Sequence, residues 1–175
     1  MSILVFPLMF LMLPLFNTDK KPKVGAPAPA FEAPATNDQT IRLSDLRGKW
    51  VVLYFYPKAF TPGCTKESCA LRDSYKEIQQ LGAVILGVSL DDIETQKRFK
   101  EEYKLPFELL SDRDKEISRA YGVLGMGGLY AKRVTFIIDP EGRIAYIFDK
   151  VDAANHDEEV KEVLSQLVKP AAERP

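Results

Sequence analysis

Apolar residues along this chain gather into short continuous blocks separated by polar stretches of helical period. The densest block is Val51-Val52-Leu53-Tyr54-Phe55-Tyr56, closed by Pro57. β-Branched and aromatic residues without polar alternation predict a strand buried on both faces and ending in a turn. Polar residues return from Pro62, and Leu71, Tyr75 and Ile78 recur at spacings of four and three. That period predicts a helix over residues 62–80, closed by Gly82. Residues 83–88 (AVILGV) form a second buried block. Ser89 or Asp91 is placed to cap a following helix to about Tyr103, where Leu105-Pro106 breaks the pattern. A shorter helix is expected over 112–121, ended by Gly122.

Residues 123–131 (VLGMGGLYA) contain three glycines and no period, so a mobile loop is expected. Residues 134–138 and 144–148 flank Asp139-Pro140-Glu141-Gly142, a β-hairpin signal. The spacing of Asn155-His156-Asp157-Glu158 is that of a capping box, opening a terminal helix over about 157–168. His156 then reads as structural. Upstream, residues 17–36 are rich in Pro and Ala and read as extended. Asn37-Asp38 predicts a turn, residues 39–43 a short strand, and Ser44 to Arg47 before Gly48 a single capped helical turn. Trp50, Tyr54 and Phe55 are assigned to the core.

Strand, helix, strand, helix, then a hairpin and a final helix is an α/β order, with helices flanking a central mixed β-sheet. A cysteine where the first long helix opens makes this the layout of the thioredoxin-like fold. One domain over residues 23–168 accounts for the pattern. Residues 1–22 form a hydrophobic tail or atypical leader plus linker, and residues 169–175 a flexible tail.

Composition narrows the function. The chain has 175 residues, 46% hydrophobic, and a net charge of −1, which gives no electrostatic reason to expect nucleic acid. Its 2 cysteines cannot build a disulfide framework, and its 1 histidine cannot complete a common zinc set. No metal or other cofactor is expected. Residues 1–16 are apolar and uncharged, interrupted by Pro7 and Pro14, and too short for the about 20 residues that a bilayer-spanning helix needs. Lys20, Lys21 and Lys23 follow the apolar run and no basic residue precedes it. Such charges stay on the cytoplasmic side. The expectation is a cytoplasmic domain with peripheral membrane contact through residues 1–16, against an atypical export leader or a translation start placed too early.

The chemistry concentrates in Pro57-Lys58-Ala59-Phe60-Thr61-Pro62-Gly63-Cys64 and in Cys69. Cys64 falls in the first turn of the predicted helix, where backbone N–H groups lack partners and the dipole is positive. Such a position favours the thiolate, the nucleophilic form. Pro57 rigidifies the strand exit. Thr61 offers a hydroxyl that can both donate and accept. Pro62 suits the first helical position, and the Gly63 and Cys64 N–H groups face developing negative charge. A buried inert thiol is the usual fate of a cysteine, but Gly, Thr, Lys, Glu and Ser flank both of these.

These residues resemble the peroxiredoxin active-site pattern Pro-x-x-x-Thr-x-x-Cys, with Pro57, Thr61 and Cys64 at the fixed positions. The longer run GCTKESC is similar to the Q-type peroxiredoxins, also called bacterioferritin comigratory proteins. The resemblance implies a thiol-dependent peroxidase acting on hydrogen peroxide and organic hydroperoxides in antioxidant defence. It implies Cys64 as the peroxidatic and Cys69 as the resolving cysteine, joined as an intrachain Cys64–Cys69 disulfide that thioredoxin or a similar dithiol reduces. Thr61 would orient thiolate and peroxide, and Pro57 would shield the thiol. Arg133, preceding VTFIID, would hold the thiolate. By itself an arginine at a strand start is an ordinary surface charge. Glu67 matches an acidic position that partners an arginine, although a carboxylate in the first turn also suits the helix dipole. Intrachain resolution needs no second subunit, so a monomer is expected.

A thioredoxin-like disulfide oxidoreductase is the alternative, but that chemistry uses C-x-x-C, and four residues intervene here. A copper-handling module fits worse, since His156 lies on a distant segment. A binding role through exposed apolar surface has no signature in the pattern. Met126, Leu129 and Tyr130 serve either a substrate mouth or an ordinary apolar loop. Five residues along one α-helix separate Cα atoms by roughly 8–9 Å and turn the side chains about 140° apart. A disulfide needs Cα atoms within about 7 Å, so bridging would require the helix to unwind.

Overall fold

The computed structural model describes residues 20–169, with the expectations for residues 1–16 and for residues 170–175 outside that range. Five strands form the central sheet. β3 (Trp50–Phe55) lies in the middle, parallel to β4 (Ala83–Ser89) and antiparallel to β6 (Val134–Ile138). β5 (Glu108–Ser111) extends one edge in parallel to β4, and β7 (Ile144–Phe148) closes the other as the hairpin partner of β6. The sheet is therefore mixed, as expected.

A continuous apolar strand needs cover on both faces, and β3 has it. Val51, Leu53 and Phe55 point into one core with Phe31, Leu43, Ile117, Tyr121 and Phe136. Val52, Tyr54 and Tyr56 point into the other, with Leu71, Ile78, Phe99, Val160 and Leu164. Helices α1 (Pro62–Asp73), α2 (Tyr75–Gln80), α3 (Ile93–Tyr103) and α5 (His156–Leu167) supply the second layer. The first is closed by α4 (Glu116–Ala120) and by the small hairpin of β1 (Glu32–Pro34) and β2 (Thr40–Arg42). Tyr54 and Phe55 are core as expected, while Trp50 is only partly buried.

Several local expectations need correction. The helix expected over 62–80 is broken at Ser74, which sits at φ −96°, ψ 8° and whose hydroxyl donates to Asp157 Oδ2 at 2.5 Å. The cap of α3 is Asp92, accepting from the Thr95 N–H at 2.8 Å, and neither Ser89 nor Asp91. The helix expected over 112–121 is confined to Glu116–Ala120, because the Asp112 carboxylate accepts from the N–H groups of Ile117 and Ser118 and holds 112–115 in a turn. Ser44 makes no cap; the turn there is a 3-10 helix over Leu43–Leu46. Asn155 likewise makes no capping box, since its side chain donates back to Asp152. The loop 123–131 is pinned by a bridge between Leu124 and Ala131 and contains a 3-10 turn. β1 falls within the stretch expected to be extended, whereas β5 has no counterpart in the sequence reading.

Candidate active site

The site forms at the carboxyl end of β3, where the chain turns through residues 57–61 into α1. Three contacts fix that turn. The Ala59 N–H donates to Asp91 Oδ2 at 2.8 Å, and the same oxygen accepts from the Ser89 hydroxyl at 2.6 Å. Thr61 Oγ1 donates to the Lys58 carbonyl at 2.7 Å. Phe60 adopts φ 65°, a left-handed conformation that costs a non-glycine residue about 1–2 kcal/mol. Its ring packs edge-on against Phe99 at 5.2 Å and lies 6.2 Å from Tyr103, which offsets that cost.

Behind Asp91 runs a buried polar chain. The Tyr56 hydroxyl donates to Gln96 Oε1, and Gln96 Nε2 donates to Ser89 Oγ at 2.8 Å and to the Leu110 carbonyl at 3.0 Å. Fully satisfied buried networks of this kind rigidify what they touch. The sequence reading missed Asp91 and Gln96 in this role, because the residues they hold are distant along the chain.

Pro62, Gly63 and Cys64 are the first three residues of α1, and Thr61 is its N-cap. The Thr61 side chain makes no cap bond. Its hydroxyl proton is committed to Lys58, so its oxygen can act toward other groups only as an acceptor. Cys64 is completely buried. Arg133, just before β6, reaches across so that its Nη2 donates to Cys64 Sγ at 3.3 Å. Its Nη1 donates to Glu67 Oε2, one turn further along α1. Residues i and i+3 share a helix face, so one guanidinium spans both. A side chain at Gly63 would place Cβ 3.1 Å from Arg133 Nη2; glycine lets the arginine approach.

Glu67 is wholly enclosed. Burial raises its carboxyl to about 7, against the opposing pull of the Arg133 charge and hydrogen bond. Oε2 meets Arg133, whereas Oε1 has no hydrogen-bond partner. His156 Nε2 lies 3.9 Å from that oxygen. The single histidine, distant in sequence, thus stands beside the site through the packing of α5 against α1.

Cys69 occupies a different setting. It is half-buried, and both it and Cys64 are free thiols. Burial pushes its thiol up, opposed by Arg72. Both cysteines lie on the uninterrupted α1, so the structure brings Cys64, Glu67, Gly63, Thr61 and Arg133 together and leaves Cys69 on another helix face. Pro57 follows Tyr56 at the strand exit and is half-buried. Met126, Leu129 and Tyr130 are exposed on the 3-10 loop.

The chain matches the AhpC/TSA family over residues 24–147. It is 43% identical over 151 residues to the putative peroxiredoxin bcp of Coxiella burnetii, covering 83% of this chain and 98% of that protein. Peroxiredoxin Bcp of Escherichia coli K12 is 41% identical over 144 residues, covering 79% and 92%. Among solved structures, Xanthomonas campestris peroxiredoxin Q superposes with a TM-score of 0.76 at 34% identity, covering 79% of this chain and 92% of that one. Peroxidoxin BcpB from Mycobacterium tuberculosis gives a TM-score of 0.75 at 34% identity, covering 82% and 96%.

Proposed function

The chain belongs to the AhpC/TSA family and, with its Bcp and peroxiredoxin Q relatives, is a thiol-dependent peroxidase of thioredoxin-like fold; on that premise we propose that Cys64 attacks the peroxide and Cys69 resolves the product. The observation that carries the assignment is the Arg133 Nη2 to Cys64 Sγ hydrogen bond of 3.3 Å at the third residue of α1. A guanidinium and unpaired helix N–H groups both favour negative charge on the sulfur and on the transition state.

In the first step the Cys64 thiolate attacks the distal peroxide oxygen. The S–O bond forms as the O–O bond breaks, and the leaving alkoxide or hydroxide takes up a proton to depart as alcohol or water. Thr61 Oγ1, with its proton on Lys58, accepts the peroxide O–H and aligns it. Arg133 steadies the negative charge as it passes from sulfur to the leaving oxygen. Pro57 shields the sulfur at the strand exit.

The Cys64 sulfenic acid then condenses with the Cys69 thiol, releasing water and forming the intrachain disulfide. On an intact helix the Cα atoms stand roughly 8–9 Å apart, beyond the about 7 Å limit of a disulfide. The first turns of α1 therefore unwind before the bridge closes. A thiol reductant returns both cysteines to thiols, and a thioredoxin-like dithiol is the reductant proposed. Because both sulfurs lie on one chain, the cycle is complete in a monomer. Residues 1–16 are proposed to hold the domain at the cytoplasmic face of a membrane, which fractionation of the full chain against one lacking residues 1–16 tests.

Thioredoxin-coupled peroxide consumption by wild type, Cys64→Ser and Cys69→Ser tests the assignment. Cys64→Ser is expected to fall to background. Cys69→Ser is expected to lose coupled turnover while still consuming one peroxide per chain. Normal turnover by Cys64→Ser would sink the mechanism.

A further inference from the structure

Arg133 and Thr135 are two residues apart entering β6, so their side chains leave the same face of the sheet. Cys64 and Glu67 share a face of α1. Where those faces meet, His156 opens α5, fully buried and the only histidine in the chain. Its Nδ1 lies 3.1 Å from Glu159 Oε2 and its Nε2 2.8 Å from Thr135 Oγ1. A carboxylate only accepts, so Nδ1 carries a proton, and in the neutral ring Nε2 accepts from the Thr135 hydroxyl. Phe148 packs edge-on against the ring at 5.1 Å. The remaining neighbour of Nε2 is Glu67 Oε1 at 3.9 Å, the buried oxygen with no hydrogen-bond partner.

A charge count gives this arrangement its consequence. Arg133 is shared between two anionic positions, Glu67 and Cys64. With Glu67 ionised, Cys64 a thiolate and the imidazole neutral, two negative charges face one positive charge in a largely water-free cluster. An uncompensated buried charge is strongly disfavoured. One proton added to the carboxyl–imidazole pair restores balance, and the orphaned Glu67 Oε1 beside Nε2 is the place for it.

We propose that Glu67 and His156 hold one proton between them while Cys64 is a thiolate, leaving the charge of Arg133 to the sulfur. His156 is then a positioning residue that acts on Cys64 through Glu67 and Arg133. Burial raises Glu67 to about 7, which keeps the shared proton available near neutrality. Burial lowers His156, opposed by Glu159 and Asp157, so the proton rests mainly on the carboxyl. The other titratable groups facing the pair are Tyr54 from β3 and Asp152, Asp157 and Glu159 around the start of α5. Burial pushes the Tyr54 phenol well up, so it stays neutral. Asp152 is held low by Asn155 and the Ala154 N–H and stays ionised.

The inference rests on Cys64 being the attacking sulfur, and a single histidine makes it directly observable. The imidazole ¹⁵N signals of the reduced full-length chain are followed against pH in wild type and Cys64→Ser. Removing the thiolate is expected to lower the midpoint sensed by the imidazole by about one pH unit. In parallel, the alkylation rate of Cys64 is followed against pH in a Cys69→Ser background. Wild-type Cys64 is expected to titrate over a range broader than a one-proton curve, and Glu67→Gln to collapse it to a single proton. His156→Gln, which keeps a partner for Thr135 but cannot carry the proton, is expected to displace the profile. Equal imidazole midpoints in wild type and Cys64→Ser would overturn the proposal. So would superimposable alkylation profiles for wild type, Glu67→Gln and His156→Gln. Peroxide consumption by Cys64→Ser in the same samples tests the underlying assignment separately: activity there removes that assignment, whereas its loss beside unchanged profiles removes only the shared proton.

Discussion

The two cysteines lie on one helix five residues apart, yet their surroundings differ in every respect that matters to their chemistry. Cys64 is sealed from solvent, sits in the first turn of α1 and receives a hydrogen bond from Arg133. Cys69 lies half-exposed further along α1, its thiol pushed up by burial, with Arg72 and Asp73 as its charged neighbours. The lesson is a division of labour. Cys64, the proposed attacking sulfur, is preorganised by a rigid loop and a guanidinium, while Cys69, the proposed resolving sulfur, is held away from it by an intact helix. Folding thus stabilises the state proposed to meet peroxide, and the proposed resolution needs that state to open.

The largest effect that separates the two positions is complete loss. Cys64→Ser is expected to abolish peroxide consumption, whereas Cys69→Ser is expected to retain a single oxidation and accumulate the sulfenic acid, which a sulfenate-trapping reagent and mass measurement distinguish. Equal behaviour of the two variants would erase the comparison. Next comes Arg133→Lys. A lysine is a point charge that cannot bridge sulfur and Glu67 at once, so the rate of Cys64 oxidation in rapid-mixing experiments should fall roughly 10²-fold, with the Cys69 thiol unaffected.

Glu67 sharpens the comparison through pH. Its folded-state carboxyl is raised from 4.5 to about 7. A raised carboxyl binds its proton more tightly when folded, so its contribution is fully present below pH 4.5 and is lost as pH rises through about 7. Denaturant titration across that window should show wild type losing stability relative to Glu67→Gln, by on the order of 3 kcal/mol. A constant difference between the two proteins would contradict the burial argument. Smallest is the loop tether. Asp91→Ala removes the acceptor of the Ala59 N–H and the Ser89 hydroxyl, and should cost about 1–2 kcal/mol in thermal or denaturant unfolding, with slower oxidation of Cys64.

Much of the preorganised half was legible in the sequence. The block from Val51 to Tyr56 could only be a doubly covered strand, and the spacing of Pro57, Thr61 and Cys64 is local chemistry at a strand-to-helix turn. The 134–148 hairpin was equally plain, because Asp139-Pro140-Glu141-Gly142 sits between two apolar runs. What the pattern did not carry is contact across the chain. β5 is four residues long behind Pro106 and becomes a strand only by pairing with β4. Ser74 interrupts a helix whose apolar period continues past it, and the interruption is stabilised by Asp157, 83 positions away. Gly63 read only as an N–H donor at the helix start; that its missing side chain makes room for Arg133, 3.1 Å from where its Cβ would stand, is a contact across the chain. His156 read as part of a cap because its neighbours have capping spacing; its burial against Thr135, Glu67 and Phe148 comes from the docking of α5.

As proposed, a sulfur held in a closed site can reach its partner only if α1 gives way. Amide hydrogen exchange over residues 62–70, measured on the reduced protein and on protein whose Cys64–Cys69 bridge is verified by mass, tests this directly. Strong protection is expected in the reduced form and its loss across these residues in the oxidised form, with protection in β3 and β4 retained. Equal protection of 62–70 in both forms, with the bridge present, would contradict it.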